Sequence, residues 1–263
     1  MPRKGLSQNF LIDGNIIRKI LKSSEVQEND LVLEVGSGPG SLSQALLENK
    51  AAVIAVEKDD ALAQALQRFQ VPPNHLQIFS EDILTFDLDE KLKPLLQEGQ
   101  KAKLIANLPY HLTTPILAKM ISRTDLFSSL TVMVQEEVAR RMTAEPSTSE
   151  YSSLTVFLNF YSKPRYAFTV SRNCFYPIPK VDSAIVILDL HEPPLTEEKA
   201  VDFFKLTRTA FGHRRKMLRA SLKPFYEAGH VSQALESIGK NPLARPENLS
   251  LDEFLQLFRY LEN

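Results

Sequence analysis

The chain has one cysteine, Cys174, and lacks any run of 18 apolar residues, any internal repeat and any low-complexity tract. Each absence removes a class of protein. A lone thiol cannot close an internal disulfide, so a disulfide scaffold is excluded and a reducing, cytoplasmic setting is expected. Without a long apolar run or a basic, apolar leader, neither a membrane span nor a secretory signal is expected. Without a repeat, a solenoid is excluded. The formal net charge of −1 shows no overall surplus of either sign. With 43% hydrophobic and 24% charged residues, the composition is that of a folded globular protein. A length of 263 residues accommodates a full domain with a smaller companion.

The average charge hides a local pattern. Residues 151–223 carry twelve Lys/Arg against six Asp/Glu, and "KLTRTAFGHRRKMLRASLK" (205–223) holds seven basic residues and no acidic one. Either a solvated helix face or a phosphate-contacting patch would produce such a run.

Along the chain, "LVLEV" (31–35) reads as a strand that enters a glycine turn and then a helical pattern. "AAVIAVEKD" (51–59), "LQIFSED" (76–82), "AKLIAN" (102–107) and "SLTVMVQEE" (129–137) read as further strands separated by helical stretches. Strands spaced in this way need crossovers, which implies a mostly parallel sheet with helices on both faces. The runs around "YAFTV" and "SAIVILDL" follow with no long helix between them, as expected of an antiparallel pair at one sheet edge. The prolines of "HEPPL" (191–195) place a boundary, because they continue neither helix nor strand. The expected organisation is an α/β domain over residues 1–191 and an all-helical domain over 192–263. In the latter, Ser250 and Glu253 form a capping box before "FLQLF".

The first strand ends in "GSGPGS", with Gly36, Gly38 and Gly40 between strand and helix. Glycines there let the backbone approach a ligand closely. Glu57, about 20 residues on at the end of the second strand, suits the hydroxyls of a ribose. Asp82 ends the third strand, where a carboxylate could accept from an adenine amine. Both NAD and S-adenosylmethionine satisfy this edge, so the fourth strand must distinguish them.

That strand ends in Asn107, Leu108, Pro109 and Tyr110, a motif that resembles those of methyltransferases acting on the exocyclic amine of adenine or on amide nitrogen. The adenine N6 lone pair is delocalised into the ring. Two acceptors aimed at its hydrogens, the Asn107 side-chain oxygen and the Leu108 carbonyl, would stabilise the charge that develops as the nitrogen attacks. Pro109 fixes the backbone that presents the carbonyl, and Tyr110 offers a face for the base to stack on. In "NCFYPIPKVDSAIVIL", Phe175 or Tyr176 is the candidate second wall and Lys180 a candidate phosphate contact. Cys174 reads as packing. The chemistry calls for neither a metal nor a general base.

Read together, "LSQNFLID", "VLEVGSGPGSLS", "AVEKD", "EDIL", "NLPY", "VQEEVARRM", "FYPIPKVDSAIV", "TAFGHRRKML" and "ARPENLSLDEF" resemble, in order and over nearly the whole chain, the ribosomal RNA small-subunit adenine N(6),N(6)-dimethyltransferases. The resemblance implies a Rossmann-like class I methyltransferase domain with a smaller all-helical C-terminal domain. It implies S-adenosylmethionine as donor, and as acceptor two adjacent adenosines in a hairpin near the 3′ end of small-subunit rRNA, each methylated twice. The partner would be this rRNA within an assembling small subunit, met by a monomer away from any membrane. By position, Asn9, Leu11, Gly36, Gly38, Glu57, Asp82 and Asn107 would contact the cofactor. Asn107, Leu108, Tyr110 and Phe175 would hold the base, which must leave its stack to reach them. Lys180, Arg214, Arg215 and Lys216 would contact RNA. Ser7 stands where the family usually carries glycine, and "STSEYSSLTV" lacks the glycine and basic residue common in that loop.

Three other functions compete with this one. A large-subunit rRNA adenine methyltransferase would share "NLPY" but not "FYPIPKVDSA" and "RRKML". A non-catalytic assembly or RNA-binding factor would have no use for two amine acceptors beside a cofactor cleft. An NAD-dependent oxidoreductase would need a proton donor at the fourth strand, where none is evident.

Overall fold

A computed structural model of the chain describes residues 9–73, 75–213 and 216–262. Ser7, Arg214 and Arg215 lie outside the described residues, so the expectations placed on them are not addressed by it. The strands are β1 (Phe10–Leu11), β2 (Leu31–Val35), β3 (Ala52–Val56), β4 (Leu76–Phe79), β5 (Ala102–Asn107), β6 (Phe127–Gln135), β7 (Ser162–Val170), β8 (Phe175–Tyr176) and β9 (Ser183–Leu190). The α-helices of the first half are α1 (Gly14–Ser23), α2 (Ser41–Glu48), α3 (Asp60–Leu66), α4 (Leu88–Lys91), α5 (Thr113–Ile121) and α6 (Glu136–Met142). Those of the second half are α7 (Ser153–Tyr161), α8 (Glu197–Phe211), α9 (Leu218–Ser221), α10 (Ala228–Ser237) and α11 (Leu251–Leu261).

Seven strands form one sheet in the order β4-β3-β2-β5-β6-β9-β7. The pairs among β4, β3, β2, β5 and β6 are parallel, and β9 runs antiparallel to both β6 and β7. β2 is buried along its whole length, which is why it reads as an uninterrupted apolar run apart from Glu34. The chain winds outward from β2 to β4 and then returns to β5 on the other side of β2. Strand order therefore reverses between β2 and β5, the place where open α/β sheets bind ligands. β1 and β8 form a separate antiparallel pair, with Phe10 opposite Tyr176 and Leu11 opposite Phe175. Asp13 caps α1 by accepting from the amides of Asn15 (2.8 Å) and Ile16 (3.3 Å).

The chain divides into two compact units, residues 1–139 with 162–191, and residues 140–161 with 192–263. This differs from the expected organisation, which kept 140–161 in the α/β domain. The reason lies in the aromatic residues of α7. Phe160 stacks on Phe203 of α8 with ring centroids 5.4 Å apart, and Phe157 meets Phe204 edge-on at 5.1 Å. Val156 and Phe160 share a core with Phe203, Leu206, Leu235 and Phe254, all of them buried. The described basic residues of the run 205–223 do not share a single helix face: Lys205 and Arg208 lie in α8, Arg219 in the short α9, and Lys216 and Lys223 outside either helix. The capping box at Ser250 and Glu253 is present, with both of its reciprocal hydrogen bonds.

Candidate active site

The ends of four neighbouring strands of the first unit line one cleft. Gly36 and Gly38 follow β2, Glu57 follows β3, Glu81, Asp82 and Ile83 follow β4, and Asn107 to Leu112 end β5 and begin the next turn. The glycine turn is compact. Gly38 has φ +56°, and a Cβ there would stand 3.0 Å from the Phe10 ring. Gly40 caps α2 with φ +89°, and a Cβ there would come within 2.6 Å of Leu66 and Phe69. A side chain at either position would displace its neighbours, so glycine is needed for packing as well as for backbone conformation.

Glu57 is buried and its carboxylate is held by the main chain. One oxygen accepts from the Gly38 amide at 2.9 Å and the other from the Asp59 amide at 2.8 Å. Each carboxylate oxygen keeps a second lone pair, so an aligned acceptor remains for a diol. Asp82 accepts from Lys58 Nζ at 2.8 Å and from the Leu84 amide at 2.9 Å. The Lys58 ammonium, then the Leu84 amide, hold its carboxyl below the usual carboxylate range.

At the end of β5, Asn107 Nδ2 donates to the Asn9 carbonyl at 3.0 Å. That bond fixes which end of the amide is the donor and leaves Oδ1 as the acceptor. The Leu108 amide donates to the Met133 carbonyl at 3.2 Å, extending the β5–β6 pairing one residue past the strand. Pro109 has φ −58° and ψ 125°, and its carbonyl accepts from the Leu112 amide at 2.9 Å. The half-buried Tyr110 anchors its hydroxyl to Ser183 Oγ at 2.8 Å, and burial pushes its pKa up.

The cleft thus gathers Asn9, Gly36, Gly38, Glu57, Asp82, Asn107, Leu108 and Tyr110, eight of the residues singled out from the sequence. It does not gather Phe175 or Leu11. Successive residues on a strand face opposite ways, and in β8 it is Phe175 that turns inward, 1% exposed, while Tyr176 turns outward at 62%. Phe175 packs in the core with Leu11, Ile17, Val170 and Ile185, so it is no wall of this cleft. Leu11, 8% exposed, instead lines a smaller adjoining cavity with Phe10, Glu34 and Thr131. Lys180 is exposed in the loop before β9, and Lys216 is exposed after α8 in the second unit. Cys174 is tied to Asp13 at 3.6 Å, and burial followed by the Asp13 carboxylate pushes its thiol pKa up, as suits packing.

Sequence reasoning missed Phe10, Lys58 and His111, which also line the cleft. Phe10 sits inside "QNFL", and only its contact with Gly38 reveals what it does. Lys58 follows Glu57 directly, yet its partner Asp82 is 24 residues away, a pairing that no local pattern shows.

The nucleoside part of S-adenosylmethionine fits these groups. The glycine turn allows close backbone approach, Glu57 is an aligned acceptor, and Val35, Val56, Ile83 and Ile116 give the same cleft apolar walls.

Comparisons with known proteins find relatives over nearly the whole chain. Residues 2–263 match the family model described as ribosomal RNA adenine dimethylase. The chain is 67% identical over 260 residues to ribosomal RNA small subunit methyltransferase A of Protochlamydia amoebophila, covering 99% of this chain and 91% of that protein. It is 47% identical over 266 residues to the protein of the same name from Chlamydia muridarum, covering 99% and 92%. Among solved structures it is similar to a dimethyladenosine transferase from Plasmodium falciparum, with TM-score 0.77, 27% identity, and 94% and 95% of the two chains covered. It is also similar to the 23S rRNA methyltransferase ErmE, with TM-score 0.75, 26% identity, and 97% and 100% covered. The fold is therefore the Rossmann-like α/β fold of S-adenosylmethionine-dependent methyltransferases with a helical C-terminal part, and the chain belongs to the ribosomal RNA adenine dimethylase family.

Proposed function

We propose that the protein transfers methyl groups from S-adenosylmethionine to the N6 atoms of two adjacent adenosines in a hairpin near the 3′ end of small-subunit rRNA, two to each. The observation that carries this reading is the fixed amide of Asn107. With Nδ2 donated to Asn9, its Oδ1 is the acceptor in a cleft that also holds the Glu57 carboxylate.

Asn9, Gly36, Gly38, Glu57 and Asp82 would hold the cofactor, with Glu57 at the ribose and Asp82 near the adenine amine. When bound, S-adenosylmethionine supplies an electrophilic methyl on a sulfonium whose departure needs no proton. The protein's own part is to place and polarise the amine. Asn107 Oδ1 and the Leu108 carbonyl would accept hydrogen bonds from its N–H groups and favour the charge that grows on nitrogen, and the surplus proton would leave to solvent after the methyl has transferred. Tyr110, tethered through its hydroxyl, would keep its ring fixed for stacking. A rigid frame of this kind raises the rate by orientation, because the nucleophile arrives already aligned.

The lone thiol of Cys174 suits a cytoplasmic protein, and the natural substrate is the assembling small subunit, met by a monomer. No described helix is long and apolar enough to cross a membrane. The test is transfer of labelled methyl groups to small-subunit particles lacking these modifications, with mass mapping of the RNA. Dimethyladenosine at two adjacent hairpin positions is expected. Transfer only to large-subunit RNA, or none despite cofactor binding, would overturn the proposal.

A further inference from the structure

The loop from Ser80 to Asp87, between β4 and α4, presents Glu81, Asp82 and Ile83 to the cleft. Its amides turn towards one residue. Leu84 N donates to Asp82 Oδ1 at 2.9 Å, and the amides of Thr85 and Phe86 both donate to the Asp82 carbonyl at 3.0 Å. Three of its carbonyls turn to a single side chain. Lys119 Nζ donates to the carbonyls of Ile83 (2.9 Å), Leu84 (3.0 Å) and Phe86 (2.6 Å).

An ammonium has three hydrogens, and here all three go to main-chain oxygens. Those oxygens belong to irregular backbone, where neither helix nor sheet supplies a partner. Lys119 lies on α5, one turn beyond Ile116, which itself lines the cleft. α5 starts at Thr113, immediately after the turn built from Asn107 to Leu112. One cation therefore ties the loop that carries Asp82 to the helix that follows the amine-acceptor turn.

We propose that Lys119 is a positioning residue for the adenosyl end of the cofactor, acting through the three carbonyls by which it holds the Asp82–Phe86 loop against α5. This rests on the reading of the cleft as an S-adenosylmethionine site. It assigns the alignment of Asp82 to a residue 37 positions away that does not itself line the cleft. The loop's own hydrogen bonds close it around Asp82, and the Lys119 ammonium is what fastens that closed turn to α5.

The test compares wild type with Lys119→Met, which keeps the apolar stem and removes the charge. Two ligands are titrated calorimetrically, S-adenosylmethionine and 5′-methylthioadenosine, which keeps the adenosyl group and lacks the amino acid. Affinity for both is expected to fall by the same factor, about tenfold. The KM for S-adenosylmethionine should rise by that factor, while kcat at saturation moves by less than about twofold. Lys119→Arg, which keeps a charged multiple donor, should recover most of the binding. Should Lys119→Met not fold, Lys119→Gln, with its two-hydrogen amide, carries the same comparison.

Unchanged affinity in the variants would overturn the inference. So would an equal loss of RNA affinity with no rescue by arginine, which is the signature of general destabilisation. Failure of the wild type to bind either ligand would instead remove the reading of the cleft.

Discussion

The two units solve opposite problems with the same chemistry of folding. In the first, four polar side chains of the cleft are tied by hydrogen bonds: Glu57 to two amides, Asp82 to an amide and Lys58, Asn107 to a carbonyl, Tyr110 to a serine. In the second, order comes from rings: Phe160, Phe203, Phe204 and Phe258 stack or meet edge-on within one core. Group transfer depends on acceptors placed within a fraction of an ångström, and in the proposed reading these hydrogen bonds, most of them to the main chain, would supply that placement. A phosphate contact requires only a positive charge within reach, and in the proposed reading long exposed side chains on a well-packed helical body would supply it.

The comparison breaks most visibly if ring and amide substitutions have the same consequences. Phe203→Ala, at a fully buried ring, is expected to cost about 3–5 kcal/mol of stability. Denaturant unfolding measures it, and a cost below about 1 kcal/mol would mean that the second unit's core can collapse around the gap. Asn107→Ala should leave stability nearly unchanged and reduce kcat by roughly 10²–10³, equivalent to about 2.7–4 kcal/mol, as for removal of one aligned dipole. Single-turnover transfer shows this directly. Near-normal turnover would sink the amine-acceptor role.

A buried carboxyl in the first unit sharpens the contrast, because it is polar and yet lies outside the cleft itself. Glu34 in β2 is 2% exposed, and Ser43 Oγ donates to it at 2.5 Å. Burial pushes its pKa up from 4.5 to about 7. The folded protein therefore keeps a proton there that the unfolded chain has already released. The resulting stabilisation is complete below pH 4.5 and is lost as pH rises through about 7. Glu34→Gln does not titrate. Relative to this variant, wild type should lose up to about 3 kcal/mol between these limits. Parallel urea-midpoint curves from pH 4.5 to 8.5 would show that Glu34 titrates normally.

Much of the first unit is legible in the sequence because its signals are local. β2 and β5 are short apolar runs bounded by a glycine turn and an asparagine, and their ends carry the site. Asp13 capping α1 is a local signal as well, though one that goes unread without a long apolar stretch behind it. What stays hidden depends on partners far along the chain. α7 is apolar on most of its surface, so its pattern cannot say that Phe203 and Phe204 are its neighbours. In "FY" of β8, two adjacent aromatics must face opposite ways, and a two-residue strand has no period to say which is inside. The Lys119 tie escapes for a different reason: its acceptors are main-chain carbonyls, which every residue possesses and no sequence pattern marks.

The smallest expected effects belong to the exposed basic residues, and they decide whether that side of the comparison stands. Lys180 and Lys216 are both exposed, one in each unit, and neither lines the cleft. If each meets a single-stranded phosphate, substitution by alanine should lower the slope of log affinity against log salt by about 0.7 per residue. Cofactor affinity should stay unchanged, because neither residue helps to shape the glycine turn or the Asp82 loop. Filter-binding titrations across a salt series read the slope, and calorimetry with S-adenosylmethionine reads the control. An unchanged slope at Lys216 with a reduced one at Lys180 would confine the RNA footprint to the first unit. The second unit's basic run would then be a solvated surface, and its aromatic core would need a different explanation from the support of phosphate contacts.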